Sequence, residues 1–162
     1  MLGVRTLLYN YVIVKIFRII PPPATAILLV AIAYIFNILF PGAVIFQSYI
    51  IFVMVLLVGV VFVGWSVLLF RRAHTTLNPN KKPGKMIESG PYLISRNPMY
   101  LGLLLMLLGY AFLKGEFVFF VTPVVYYVLM DKIVIPYEEK MIVDAIGQEK
   151  YGVFAQKIRR WL

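Results

Sequence analysis

From Ala24 to Phe70 the chain has no charged residue, and only Pro41-Gly42 interrupts the apolar sequence. As a helix, the first run, Ala24–Phe40, is near the shortest length that crosses a hydrocarbon core of about 30 Å, and the second, Ala43–Phe70, exceeds it. The composition agrees, since 62% of the 162 residues are hydrophobic, against about 45–50% in soluble domains. The sequence therefore predicts an all-α integral membrane protein.

Two more apolar stretches follow, Pro98–Leu113 and Phe117–Ile135, separated by Lys114-Gly115-Glu116. Glycine suits a tight turn because it adopts positive φ without steric cost. This pattern predicts a helical hairpin, which brings the number of transmembrane helices to four in one bundle, a single domain spanning residues 1–162 with its cofactor motifs within 71–161.

The N-terminal stretch Val4–Ile20 is also apolar but contains Lys15 and Arg18, and no small-residue cleavage site follows it. It is therefore not interpreted as a cleaved signal peptide. It is either an interfacial amphipathic helix or a fifth spanning helix, and the sequence leaves both open.

A short cytosolic helix is predicted over Tyr137–Ile146. Pro136 opens it, and Glu138 and Glu139 lie in its first turn, where acidic side chains favour the positive end of the helix dipole. Gly147 follows its last residue, and a basic tail ends the chain.

The distribution of basic residues predicts the orientation. Of the 16 Lys and Arg residues, only Lys114 falls on the side of the two short turns. By the positive-inside rule the other side is cytoplasmic, so Ala73–Met99 and Tyr137–Leu162 share that face. The net charge of +9 is thus explained by topology, and no nucleic-acid partner is expected. The predicted location is the inner (cytoplasmic) membrane of a prokaryote, with the active site facing the cytoplasm.

The absence of cysteine excludes disulfides and thiolate ligands, and a single His is too few for a metal cluster. We therefore expect no metal cofactor.

Arg96 and Asn97-Pro98 mark a helix start on the cytoplasmic face. As a structural cap, Asn97 supplies a side-chain oxygen and Pro98 a preset φ, with no ligand required. The same helix start also offers free N–H groups, and Arg96 beside it suits a carboxylate. Tyr100, in the first turn, lies at the same rim. The residues alone leave the structural and the anion-binding interpretations equally open.

Glu138 and Glu139 likewise either complement a helix dipole or bind a ligand. Neighbouring helical residues point about 100° apart, so the two carboxylates meet different groups, such as an ammonium and ribose hydroxyls. Arg96 for a carboxylate and Glu139 for an ammonium or ribose make a plausible site for S-adenosylmethionine.

These motifs resemble the isoprenylcysteine carboxyl methyltransferase superfamily. The resemblance rests on Gly90-Pro91-Tyr92, Arg96–Gly102, the helical hairpin, Glu138-Glu139 and the later Gly147…Tyr151. The Asn-Pro-Met-Tyr and Tyr-Glu-Glu sequences are also similar to phosphatidylethanolamine N-methyltransferase. The similarity covers roughly Arg71–Trp161. Two departures are Asn97, where many relatives have His, and Ile158-Arg159-Arg160, where they have Val-Pro-Arg.

The resemblance implies methyl transfer from S-adenosylmethionine, with S-adenosylhomocysteine as product, to a lipophilic acceptor that enters from the bilayer. The acceptor is an isoprenylcysteine-like carboxylate or a phospholipid amine. Arg96 and Glu139 are the leading catalytic candidates. His74 ranks second, as a base needed only if the acceptor is an amine. The implied cofactor-binding residues are Tyr92, Arg96, Asn97, Pro98, Met99, Tyr100, Tyr137, Glu138 and Glu139.

Two other functions fit the hydropathy less well. A small four-helix transporter usually carries an ionisable residue within a span, and the first two spans have none. A membrane reductase related to sterol reductases, using a nicotinamide cofactor, is normally much longer. The sequence predicts neither the identity of the acceptor nor the oligomeric state.

Overall fold

The computed structural model describes residues 20–72 and 89–162. Within these ranges the regular structure is helical, apart from one isolated β-bridge between Val44 and Glu116. This confirms the all-α prediction. The predicted helix Val4–Ile20, except its last residue, and His74 lie outside the described residues. The elements are α1 (Pro22–Leu39), α2 (Tyr49–Arg72), a 3₁₀ turn (Gly90–Leu93), α3 (Pro98–Lys114), α4 (Phe117–Leu129), a π-helical turn (Met130–Val134), α5 (Ile135–Ile146) and α6 (Gln148–Lys157).

Helices α1 and α4 pack antiparallel. Ala26, near the start of α1, shares a buried cluster with Met130 just beyond α4, whereas Ala33 packs with Phe119 at the start of α4. Helix α3 lies parallel to α1, because its Leu107 joins the first cluster and its Ala111 the second. The starts of α1 and α3 and the end of α4 therefore lie at one end of the bundle.

Helices α2 and α3 approach each other closely through glycine. A Cβ on Gly59 would lie 2.7 Å from the carbonyl oxygen of Gly102, and a Cβ on Gly102 would lie 2.7 Å from that of Gly59. Small residues permit such contact between membrane helices, where close packing replaces the hydrophobic effect. Gly64 has nothing within 4 Å of its hypothetical Cβ. Gly59 is therefore a close-packing position, whereas Gly64 is not.

The outer surfaces of the helices are apolar. Ile27 and Ile50 are both more than 70% exposed, as expected for side chains that face lipid rather than water. Among the described residues, three helices are long and apolar enough to cross a membrane: Pro22–Leu39, Tyr49–Arg72 and Phe117–Ile146. Helix α3 is equally apolar but shorter, with 17 residues. The chain is an integral membrane protein, and the predicted total of four crossings stays a prediction.

The predicted start of the second span at Ala43 is wrong, because α2 begins at Tyr49. The preceding residues are extended and lie against the α3–α4 turn. The N–H of Ile45 donates to the Gly115 carbonyl at 2.9 Å, and the N–H of Ser48 donates to the Phe112 carbonyl at 3.0 Å. Since these partners come from the neighbouring turn, the segment satisfies its backbone without a helix.

Pro136 lies in the first turn of α5, as predicted, but the helix is not interrupted before it. Residues Phe117–Ile146 form one continuous helix, and a π-turn lies within it just before the proline. In that turn the N–H of Ile135 donates to the Met130 carbonyl, five residues back. This wider turn accommodates the missing N–H and the ring of Pro136, which an unbroken α-helix would not. Gly147, with φ +91°, ends α5 as predicted.

Candidate functional site

The segment before α3 is the first wall of the site. Tyr92, in the 3₁₀ turn, is buried, and its ring lies 5.8 Å from that of Phe70 at the end of α2. Burial raises the pKa of Tyr92, so its phenol is neutral at physiological pH. Pro98 occupies the first turn of α3, as predicted. The first turn of α3 is therefore fixed beside the end of α2.

The C-terminal segment, Ile158–Trp161, runs beside this wall. The N–H of Arg96 donates to the Arg159 carbonyl at 3.0 Å. The Ser95 hydroxyl and the Asn97 side-chain amide both donate to the Arg160 carbonyl at 3.1 Å. Asn97 occupies the N-cap position of α3, but its side chain makes no cap hydrogen bond. It binds the C-terminal segment instead.

Glu139 lies between two guanidinium groups. Arg160 binds both of its carboxylate oxygens, at 2.6 Å through Nη2 and at 3.2 Å through Nε. Arg96 Nη1 is 3.4 Å from the same carboxylate. Burial opposes the charge on Arg160, but its hydrogen bonds to Glu139 and Asp131 prevail and raise its pKa. The bidentate geometry fixes the direction of the Glu139 side chain.

Arg96 makes one further polar contact. Its Nη1 donates to the Tyr151 hydroxyl at 2.7 Å, and its guanidinium lies 5.7 Å from the centre of that ring. Burial, followed by the nearby Glu139 carboxylate, raises the pKa of Tyr151, so the phenol stays protonated. Arg96 Nε is buried and has no hydrogen-bond partner among the described residues. This donor remains available for a ligand.

Glu138 faces a different environment from Glu139. The Tyr100 hydroxyl donates to Glu138 Oε1 at 2.6 Å, a length typical of a charge-assisted hydrogen bond. Tyr126 is fully buried, and its hydroxyl has no partner within the described part of the chain. The two adjacent glutamates therefore contact separate groups of the site.

Most of the candidate residues that the sequence singles out lie at this end of the bundle. Tyr100 meets Glu138, and Arg96 meets Glu139. The sequence assigned Arg96 and Glu139 to opposite ends of one ligand, whereas in the structure their side chains form an ion pair. Met99 and Tyr137 are half-buried and make no side-chain hydrogen bond among the described residues.

Three residues of the cluster were not predicted from sequence: Asp131, Arg160 and Trp161. Asp131 accepts hydrogen bonds from Arg160 Nη1 at 3.2 Å and from Trp161 Nε1 at 3.0 Å. A carboxylate at the end of an otherwise apolar helix was the available signal, because such a group requires a partner. Asp131 also pairs with its neighbour Lys132 at 2.9 Å, but Arg160 and Trp161 are more than 25 residues away, and no local pattern identifies them.

The donor set fits an amino-acid-nucleoside cofactor. A buried guanidinium with an unused Nε suits a carboxylate. Glu138 and Glu139 contact different partners, Tyr100 and the two arginines, and carboxylates can also accept from an ammonium or from hydroxyl groups. Within residues 20–72 and 89–162, no group of three or more His, Asp or Glu side chains is arranged to hold a metal ion.

Residues 47–149 match a protein family described as phospholipid methyltransferase. The matched region includes α2, the Arg96–Tyr100 segment, the α3–α4 hairpin and the glutamate pair, and it ends before Tyr151. No match was found among curated proteins or among solved structures.

Proposed function

The chain belongs to the phospholipid methyltransferase family, and from that premise we propose that it transfers the methyl group of S-adenosylmethionine to a lipophilic acceptor. The observation that carries this proposal is the cluster at one end of a membrane bundle, where Arg96, Glu138 and Glu139 come together from two distant parts of the sequence.

The roles of the side chains follow from their charges. Arg96 binds the carboxylate of the cofactor through Nε, the donor that has no partner in the described residues. Glu139 binds the ammonium or the ribose hydroxyls, and Glu138 with Tyr100 lines the same site. The remaining proposed contacts, from Tyr92, Asn97, Pro98, Met99 and Tyr137, shape the wall around the cofactor. When bound, the cofactor supplies an electrophilic methyl group on a sulfonium.

The chain's contribution to the reaction is alignment and exclusion of water. An amine acceptor must lose a proton, which His74 or a glutamate of the site receives, whereas a carboxylate acceptor requires no base. The family favours a phospholipid acceptor, and an isoprenylcysteine-like carboxylate is the alternative. The apolar outer surface gives such a substrate access from the bilayer.

We place the site on the cytoplasmic face of a prokaryotic inner membrane. Arg71 and Arg72 end α2 on the site's side, whereas Lys114 lies at the opposite end of α3. Single cysteines at Gly42 and Ala155 test this, because the chain has none of its own. We expect an impermeant reagent to label Gly42→Cys and not Ala155→Cys in intact cells. The opposite result would reverse the orientation.

Calorimetry on the detergent-purified protein tests the activity, with S-adenosylhomocysteine as ligand. We expect heat of binding and a raised melting temperature, and no stabilisation by NADPH, which a reductase would bind. If the protein is folded and S-adenosylhomocysteine gives neither heat of binding nor a rise in melting temperature, the proposal is refuted.

A further inference from the structure

The C-terminal segment is joined to the candidate site by both backbone and side chains. Its Arg159 and Arg160 carbonyls accept hydrogen bonds from Ser95, Arg96 and Asn97. The segment lies beyond residue 149, where the family match ends. Its position beside the site is therefore an observation of the structure and not of the family match.

Arg160 connects the two sides of the site. Its guanidinium holds both oxygens of Glu139 and, through Nη1, Asp131 Oδ1 at 3.2 Å. Asp131 belongs to the π-turn and is itself fixed by Trp161 Nε1 at 3.0 Å. The Trp161 ring packs on Tyr127 with the centroids 4.9 Å apart. The Arg160 guanidinium is thus held by Asp131 on one side and binds the Glu139 carboxylate on the other.

We propose that Arg160 is a positioning residue for the cofactor, which acts by fixing the Glu139 carboxylate in its binding direction. The inference rests on the proposed function. Glu139 has only one other cationic partner in the described residues, Arg96, and the Arg96 contact is the longer one at 3.4 Å. Without Arg160, Arg96 is the one remaining cationic partner in the described residues, so Glu139 loses the bidentate contact that fixes its direction and shifts toward Arg96.

The test measures the affinity of the full-length protein for S-adenosylhomocysteine, together with KM for cofactor and acceptor. Arg160→Ala is expected to raise Kd and the cofactor KM about tenfold. The KM for the acceptor should stay unchanged, a split that general loss of structure would not produce. Arg160→Lys keeps the positive charge but lacks the paired N–H donors of the guanidinium, so it should recover part of the affinity.

Arg159→Ala is the matched control, because this neighbouring side chain is exposed and makes no hydrogen bond among the described residues. It should bind as the wild type does. Asp131→Asn provides a second variant in case Arg160→Ala fails to fold, and it should raise Kd several-fold by loosening the anchor. Unchanged Kd in Arg160→Ala or, if that variant is unfolded, in Asp131→Asn would overturn the role of Arg160. A wild-type protein that does not bind would instead overturn the proposed function.

Discussion

The α2–α3 interface and the α3–α5 end of the bundle are held by different forces. The interface depends on the absence of side chains, since Gly59 and Gly102 bring two backbones into contact. The site end depends on charged side chains, since Glu139 is held by Arg96 and Arg160. Adding a bulky side chain should therefore disrupt the α2–α3 interface, whereas removing a charged group should disrupt the site end of the bundle. We expect the first region to determine stability and, on the proposed function, the second to determine ligand affinity.

The largest expected effect comes from adding bulk to the interface. Gly59→Leu places atoms where the Gly102 carbonyl oxygen and Met106 already lie, within 3 Å of a Cβ. We expect a loss of about 3 kcal/mol or more in unfolding free energy, at the upper end of overpacking costs. Thermal unfolding in detergent measures it. Gly64→Leu is the control and should be nearly neutral, because its Cβ meets nothing within 4 Å; equal losses in both would contradict the glycine contact.

The next effect is on ligand binding. Arg96→Ala or Glu139→Gln should weaken binding of S-adenosylhomocysteine roughly ten- to a hundred-fold, the range for a lost charge-assisted hydrogen bond. Stability should fall by about 1–3 kcal/mol, because the two side chains are only 14% and 18% exposed and removing one leaves the other charge without a partner. Glu149→Gln removes the same charge from an exposed position in the first turn of α6. It should leave the affinity unchanged and cost at most about 0.3–1 kcal/mol of stability, the contribution of the helix dipole. A collapse of stability, or wild-type affinity, would make these residues structural.

The sequence predicted features that local chemistry determines. Pro98 at the start of α3, the turn at Gly115 with φ +77° and the end of α5 at Gly147 are all confirmed. Each depends on a residue type with one preferred backbone role, so neighbouring residues suffice to predict it.

The features that were wrong or missed depend on distant partners. Helix α2 begins late because residues 45–48 bond to the α3–α4 turn. Pro136 does not break its helix, because the π-turn before it accommodates the proline ring and its missing N–H. Arg160 was interpreted as part of a basic tail, yet its carboxylate partners are Asp131 and Glu139. Such pairings arise only when the chain folds back on itself.

A smaller effect is expected at Tyr100, which is half-buried in the site. Tyr100→Phe removes the 2.6 Å hydrogen bond to Glu138 and keeps the ring. The unfolding free energy should fall by about 1.5 kcal/mol, the lower value for a hydrogen bond to a charged group. Tyr49→Phe, at a hydroxyl on a 69% exposed side chain, is the control. If both variants lose the same stability, the Tyr100–Glu138 contact contributes nothing.

The smallest effect compares two fully buried serines, one from each region. The Ser95 hydroxyl donates to the Arg160 carbonyl and accepts from the Asn97 N–H, both at 3.1 Å. Ser66 donates to the Phe62 carbonyl of its own helix at 2.7 Å, and its hydroxyl also hydrogen-bonds the Tyr92 side chain. Ser95→Ala should cost about 1 kcal/mol, because it leaves a buried N–H without its acceptor. Ser66→Ala should cost less, about 0.5 kcal/mol, because the Phe62 carbonyl keeps its helical N–H and no backbone donor loses its acceptor. Chemical denaturation of both variants in the same detergent measures the difference. If Ser66→Ala costs as much as Ser95→Ala, hydrogen bonding matters equally in both regions and the contrast between a packed interface and a polar site fails.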